Sequence, residues 1–360
     1  MKTFTRVSAL AAVAALSLAA CGAAPEDEET TSAEDTAAAE ETTEAAEAVD
    51  FKACMVSDEG GFDDASFNES AYDGVQRAAA ELGIEHAEAE STAESDYAPN
   101  LEAQVAAGCD LIITVGFNLG DATAEAAAAY PDTHFAIVDF GYDEPIDNVK
   151  SLYFDTDEAA FLAGYAAAAA SGSGTVGTFG GMNIPTVTIF MDGYLAGVNY
   201  YNEENGTDVT VLGWDGADGS FTGDFSDQSK GQNTTQGFLD QGADIVMPVA
   251  GPVGLGAASA IQSAGGAWLI GVDSDWTESA PEYADIVFTS VLKNISNAVF
   301  DTIEATMAEW SNEPYLGTLE NEGVGVADFA EGTVSDEVLA ALEEIKAGII
   351  AGDIEPSTAG

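Results

Sequence analysis

The sequence has 360 residues, 64 acidic side chains against 8 lysines and arginines, a formal net charge of −56 and an apolar content of 46%. Such an acidic excess excludes functions that need a basic face, among them binding of nucleic acid or of an anionic lipid surface. It also makes a compact state repel itself at low ionic strength, and molar salt, with a Debye length of roughly 3 Å, relieves this; the source is therefore expected to be halophilic.

Lys2 and Arg6 open the chain, and a short apolar run over residues 8–20 ends at Leu18-Ala19-Ala20-Cys21. Charge followed by an apolar stretch too short to span a bilayer is the order of a secretory signal. Residues 18–21 resemble the bacterial lipobox of Leu, two small residues and Cys. Cleavage is therefore expected after residue 20, with a lipid on Cys21 holding the chain to the outer face of the cytoplasmic membrane. The alternative is an ordinary signal cut near Ala20, with Cys21 incidental. Residues 22–50 are almost wholly Ala, Glu, Asp, Thr and Ser, with Val49 the one large aliphatic side chain. Such a segment cannot bury enough apolar area to offset its ordering entropy, so residues 21–50 read as an acidic disordered stalk.

The folded part starts near Phe51, and its roughly 310 residues suffice for two domains with their own cores. A first series alternates strand and helix: strand at 53–56, helix at 70–82, strand at 84–89, helix at 100–107, strand at 111–115, helix at 122–130 and strand at 135–138. A second series has helices at 158–170, 186–203, 227–241 and 255–265 between strands at 175–179, 209–214, 245–249 and 268–272. A strand at 287–291, a helix at 294–310, a late strand at 323–329 and a helix at 335–347 follow. Alternation of this kind predicts parallel sheets covered on both faces, in two doubly wound lobes. A ligand is then expected in the crevice at the carboxyl ends of the strands.

Unusual residues fall at those ends. The first strand runs into Ser57-Asp58-Glu59-Gly60-Gly61-Phe62-Asp63-Asp64-Ala65-Ser66-Phe67-Asn68-Glu69, where Asp63 or Ser66 is suited to cap the next helix. Later strands end in Gly116-Phe117, Asp139, Gly251-Pro252 and Asp273-Ser274-Asp275. Cations are rare beyond the signal: Lys52, Arg77, Lys150, Lys230, Lys293 and Lys346. Lys293, beyond a strand end, is a candidate ligand residue, whereas Lys230 reads as a helix-face charge. Cys54 lies in the first strand and Cys109 directly precedes the strand at 111–115, so neighbouring places in one sheet would bring them together. A disulfide between them suits an exported chain, the alternative being two buried thiols. His86 and His134 lack metal-ligand spacing, and no nucleotide-loop, metalloprotease or serine-hydrolase motif occurs. No catalytic residue, metal or cofactor is assigned.

Residues 57–69 resemble the D-x-G-x-x-D-x-S-F-N-Q signature of the basic membrane protein family, lipoprotein nucleoside-binding components of ABC importers. The stretch at 223–225 with Lys230-Gly231, the run Gly271-Val272-Asp273-Ser274-Asp275 and the run Thr289-Ser290-Val291-Leu292-Lys293 extend the resemblance over roughly residues 51–330. Departures are Glu69 and Trp276, where Gln is common in the family. The resemblance implies a two-lobed α/β fold of the type I periplasmic-binding-protein kind. The boundaries then expected are residues 51–150 plus about 273–310 for one lobe and 151–272 plus about 311–350 for the other. It implies a monomer working with ABC permease and ATPase subunits, and a nucleoside, first of all a purine one, as ligand. Phe67 and Phe225 would sandwich the base, with Phe221 as a substitute for Phe225. Asp58 and Asn68 would hydrogen-bond the base, with Asp139 joining them. Asp273 would accept from the ribose hydroxyls, Lys293 would donate to the ribose and neutralise Asp273, and Gly251 would let backbone approach the sugar. A sugar-binding lipoprotein or a ligand sensor of the same fold is the alternative. A nucleoside hydrolase using Asp58, Asp63 and Asp64 around calcium is a more distant one.

Overall fold

The computed structural model describes residues 49–357. The expected signal at residues 1–20, the lipid site Cys21 and nearly all of the expected stalk lie outside the described residues.

The first series is β1 (Lys52–Glu59), α1 (Phe67–Leu82), β2 (Glu85–Ser91), α2 (Tyr97–Ala106), β3 (Leu111–Val115), α3 (Gly120–Ala129), β4 (His134–Val138) and β5 (Val149–Phe154). The second is α4 (Thr156–Ala170), β6 (Thr175–Gly180), α5 (Pro185–Asn205), β7 (Thr210–Leu212), α6 (Gln228–Asp240), β8 (Ile245–Val249), α7 (Val253–Ala264) and β9 (Trp268–Asp273). After it come α8 (Trp276–Ser279), β10 (Val287–Lys293), α9 (Ile295–Ala308), β11 (Tyr315–Gly317), β12 (Val324–Val326) and α10 (Asp336–Ala351).

Two six-stranded sheets result, ordered β11-β5-β4-β3-β1-β2 and β12-β10-β9-β8-β6-β7. Strand for strand the orders match, so β1 to β5 correspond to β6 to β10. All pairings are parallel except β10 with β12. Central strands such as Leu111–Val115 and Ile245–Val249 are buried at every residue, as sheets covered on both faces require. At the edge, β2 exposes Glu85, Glu88 and Glu90, which discourages pairing with another chain.

The expected elements form close to where the pattern placed them, and two strands and the short α8 appear in addition. β5 was not expected, because Lys150 and Ser151 interrupt its apolar run. β11 has only three residues and little pattern to show. Lobe membership also differs from the expected boundaries. β10 lies in the second sheet although residues 273–310 were assigned to the first lobe, because β10 pairs with β9 along its length. β11 joins the first sheet although residues 311–350 were assigned to the second, because it extends β5. α9 does pack on α1, with Val299 against Gly74, and so belongs with the first sheet.

The chain therefore passes between the sheets three times: from β5 to α4, from β10 to α9, and from β11 to β12. Next to the first crossing, α4 and α5 pack closely. A Cβ on Gly164 would stand 2.1 Å from the Tyr194 carbonyl oxygen, so only glycine permits this approach. Cys54 of β1 and Cys109, just before β3, form a disulfide with Cα atoms 5.9 Å apart. Among the described residues, no helix is long and apolar enough to cross a membrane.

Candidate functional site

The carboxyl ends of β1, β3 and β4 face those of β8, β9 and β10 across a cleft with about 610 Å³ of atom-free space, part of it continuous with solvent. All eight candidate ligand residues line it: Asp58, Phe67, Asn68 and Asp139 from the first lobe, Phe225, Gly251, Asp273 and Lys293 from the second.

The turn from β1 to α1 is organised by Asp64, which is 1% exposed. Its Oδ1 accepts from the Ser66 and Glu69 backbone N–H groups, each at 3.0 Å. Its Oδ2 accepts from the Asn68 N–H at 2.9 Å and from Asn68 Nδ2 at 3.1 Å. Asp64 thus satisfies the free N–H groups at the start of α1, the part expected of Asp63 or Ser66. Glu69 supports it by accepting from the Ala65 N–H at 2.8 Å. Ser66 instead reaches the other lobe, donating to Asp273 Oδ2 at 2.6 Å.

Asn68 Nδ2 also donates to Asp58 Oδ1 at 2.9 Å. With two carboxylates taking its amide hydrogens, Asn68 must turn Oδ1 the other way, and that oxygen is buried without a hydrogen-bond partner. A donor is therefore wanted at this spot. Asp58 itself is raised to a pKa of about 7, chiefly by burial, with the neighbouring acids adding to the rise and Asn68 opposing it. Gly116 leaves room for Asp58, since a Cβ there would lie 2.4 Å from Asp58 Oδ2.

Asp139 directly follows β4, and Asp273 ends β9, the corresponding strand of the other sheet. Both have left-handed backbone, with φ of 66° and 69°. Aspartate tolerates this conformation better than most residues. The turn at Asp273 is braced by Trp276, fully buried, which donates through Nε1 to the Val272 carbonyl at 3.1 Å. Lys293 forms its ion pair with Asp139, and its charge also offsets that of Asp273, the acid it was expected to neutralise. Burial raises the pKa of both carboxyls, that of Asp273 to about 6, and the nearby ammonium opposes each rise. Lys293 also lies 4.9 Å from the Phe67 ring centre.

Phe225, rather than Phe221, lines the cleft; Phe221 packs edge-on against Trp214 with ring centres 6.0 Å apart. Around Gly251 the space where a Cβ would stand is open. Lys230 is exposed and paired with Asp224, a helix-face charge as read from the sequence. Asp63 does not line the cleft, and both oxygens of Asp64 are engaged by N–H groups, so the acidic run does not converge on a cation. Among the described residues, no cluster of acidic, Cys and His side chains is placed to hold a metal. Thr186 and Phe190, which the sequence did not single out, also face the cleft, as does Asp64, expected only as a ligand of the hydrolase alternative. Asp64 was hidden in an acidic run, and Phe190 looks like any core residue of a helix.

A family model described as ABC transporter substrate-binding protein, PnrA-like, matches residues 51–354. The chain is 31% identical over 322 residues to an ABC transporter nucleoside-binding protein, BmpA, of Lactococcus lactis, covering 85% of this chain and 88% of that one. It is 34% identical over 294 residues to an uncharacterized lipoprotein of Pyrococcus abyssi, covering 79% and 70%. A crystal structure of an ABC transporter solute-binding protein from Aeropyrum pernix superposes with a TM-score of 0.76 at 29% identity, covering 85% of this chain and 92% of that one.

Proposed function

The chain belongs to the PnrA-like family of ABC transporter substrate-binding proteins, and on that premise we propose that its ligand is a nucleoside, first of all a purine one, held between the two lobes. The family consists of solute-binding proteins, so the chain is a binder and not an enzyme. The observation that carries the nucleoside reading is the make-up of one cleft. An aromatic ring from each lobe, Phe67 and Phe225, lines it together with Asp58, Asn68 and Asp273.

Phe67 and Phe225 take the two faces of the base, with stacking worth roughly 1–3 kcal/mol. The unpartnered Asn68 Oδ1 accepts from an N–H on the base edge, and Asp58 reads the neighbouring atom. Asp273 offers two oxygens to the ribose hydroxyls, and Lys293 with Asp139 completes the polar end. Gly251 leaves space beside the sugar. A neutral ligand suits a cleft lined by five acids and one lysine better than a phosphorylated one.

An ABC substrate-binding protein works with permease and ATPase subunits, and these are its proposed partners. Anchoring through a lipid on Cys21, at the outer face of the cytoplasmic membrane, fits the lipoprotein relative. Calorimetry with adenosine, guanosine, inosine, cytidine, ribose and glucose tests the ligand. The expected result is binding of purine nucleosides and none of the free sugars. Ribose binding as tightly as inosine would reject the aromatic sandwich.

A further inference from the structure

A second chamber, with about 560 Å³ of atom-free space partly open to solvent, adjoins the cleft at the Lys293–Asp139 pair and shares Asp139, Lys293 and Thr186 with it. Its other walls include Phe154 and Asp155 at the first crossing, Thr156 at the start of α4, Ile189 of α5 and Leu316 of β11. Lys293 stands at the boundary, its ammonium 4.9 Å from Phe67 in the cleft and 5.3 Å from Phe154 in the chamber.

Strand order fixes the direction. Along the first sheet, β1 and β3 carry Asp58 and Gly116, β4 leads to Asp139, β5 leads to Asp155, and β11 carries Leu316. Adjacent strands lie about 4.8 Å apart, so the chamber begins roughly one strand beyond the ribose end of the nucleoside reading. On that reading Asp273 takes the 2′ and 3′ hydroxyls, which leaves the 5′ carbon to face the chamber.

The walls select what the 5′ carbon can carry. Phe154, Ile189 and Leu316 are apolar. Asp139 and Asp155 disfavour a phosphate. Thr156 is 1% exposed, yet its Oγ1 has no hydrogen-bond partner, so a purely hydrocarbon occupant would leave a buried hydroxyl unpaired. An uncharged thioether meets these conditions: its sulfur is a weak acceptor for Thr156 and packs well on an aromatic edge. We propose that the chamber beyond Lys293 and Asp139 is a subsite for an uncharged thioether substituent at C5′, so that the protein accepts 5′-thioether nucleosides as well as the parent compounds. This inference rests on the nucleoside reading of the main cleft.

The test is calorimetry with adenosine, 5′-deoxy-5′-methylthioadenosine and adenosine 5′-monophosphate. The wild-type protein is expected to bind the thioether within about tenfold of adenosine and the monophosphate at least about 100-fold more weakly. Leu316→Trp and Ile189→Trp, which fill the chamber from two different elements, are expected to keep adenosine binding and to weaken the thioether by about 20-fold or more. Tight adenosine binding with no thioether binding overturns the subsite and leaves the nucleoside reading standing. Equal losses for both ligands in the two filled variants also overturn it. No binding of adenosine at all overturns the nucleoside reading, and the subsite with it.

Discussion

Lys293 on the second sheet is ion-paired across the cleft to Asp139 beyond the end of the first, and the two side chains are only 2% and 8% exposed. The pair stands within reach of a third buried group, Asp273, whose carboxyl the same ammonium holds down against the effect of burial. Removing the cation leaves two buried acids uncompensated. Lys293→Met is expected to destabilise the protein by about 3–5 kcal/mol near neutral pH. The carboxyls then titrate higher still, so lowering the pH protonates them and shrinks the deficit. Denaturant unfolding at pH 5 and pH 8 measures this, and an equal deficit at both would refute the account.

On the nucleoside reading, Asp58 is expected to make recognition of the base depend on pH. Its folded pKa of about 7 lies above the usual carboxylate range. The folded protein thus keeps this proton where the unfolded chain has lost it, and the group's contribution to stability falls as pH rises from about 4 towards 7. Above that range the contribution is flat. If Asp58 reads the base edge as proposed, its ionised form accepts from the N1–H of inosine, whereas its protonated form donates to N1 of adenosine. Between pH 6 and 8, inosine affinity is expected to rise and adenosine affinity to fall. Asp58→Asn is expected to flatten both profiles; parallel profiles in the wild type would remove Asp58 from base recognition.

On the same reading, Phe67 and Asp273 hold different parts of the ligand, the base and the sugar. Phe67→Ala is expected to weaken nucleosides and free bases alike, by about 5–150-fold, in line with the stacking energy. Asp273→Ala is expected to weaken nucleosides strongly and free bases little. Equal losses on both ligands in the Asp273 variant would deny it a part in holding the sugar.

The alternating architecture was readable because apolar runs of strand length recur between Ala-rich helices. The cleft was readable because chemistry-bearing residues cluster after those runs, at positions 58–69, 116–117, 139, 251 and 273. Partnerships were less so. Nothing in the spacing told whether Lys293 faces Asp139 or Asp273, since both acids follow corresponding strands. Nor did the acidic run reveal that Asp64, rather than Asp63 or Ser66, starts α1: the choice depends on which carboxyl the turn points inward. β5 and β11 were lost for a related reason. Both owe their pairing to neighbours far away in sequence, and their own patterns are weak.

The disulfide between Cys54 and Cys109 closes a sequence separation of 55 residues. Loop-entropy reasoning puts the cost of Cys54→Ala with Cys109→Ala at about 2–4 kcal/mol. Reducing the bond in the wild type is expected to destabilise it by a similar free energy and so to lower the melting point. An unchanged melting point in the double variant would mean that the bond constrains little of the unfolded chain.

Salt should act on the whole molecule. With 64 acidic residues against 8 basic ones, the melting temperature is expected to rise steadily from low to molar salt. Equal melting points at the two extremes would sink the halophilic expectation.

The three crossings between the sheets also set an order of assembly. The first sheet needs β11, and α1 needs α9 over its apolar face, yet both lie after nearly all of the second sheet in the chain. A polypeptide that emerges N-terminus first must therefore hold its first lobe unfinished until residue 317 is free. Contacts this distant in sequence are slow to form and leave apolar surface bare in the meantime. Neither half of the gene, expressed alone, encodes a complete lobe.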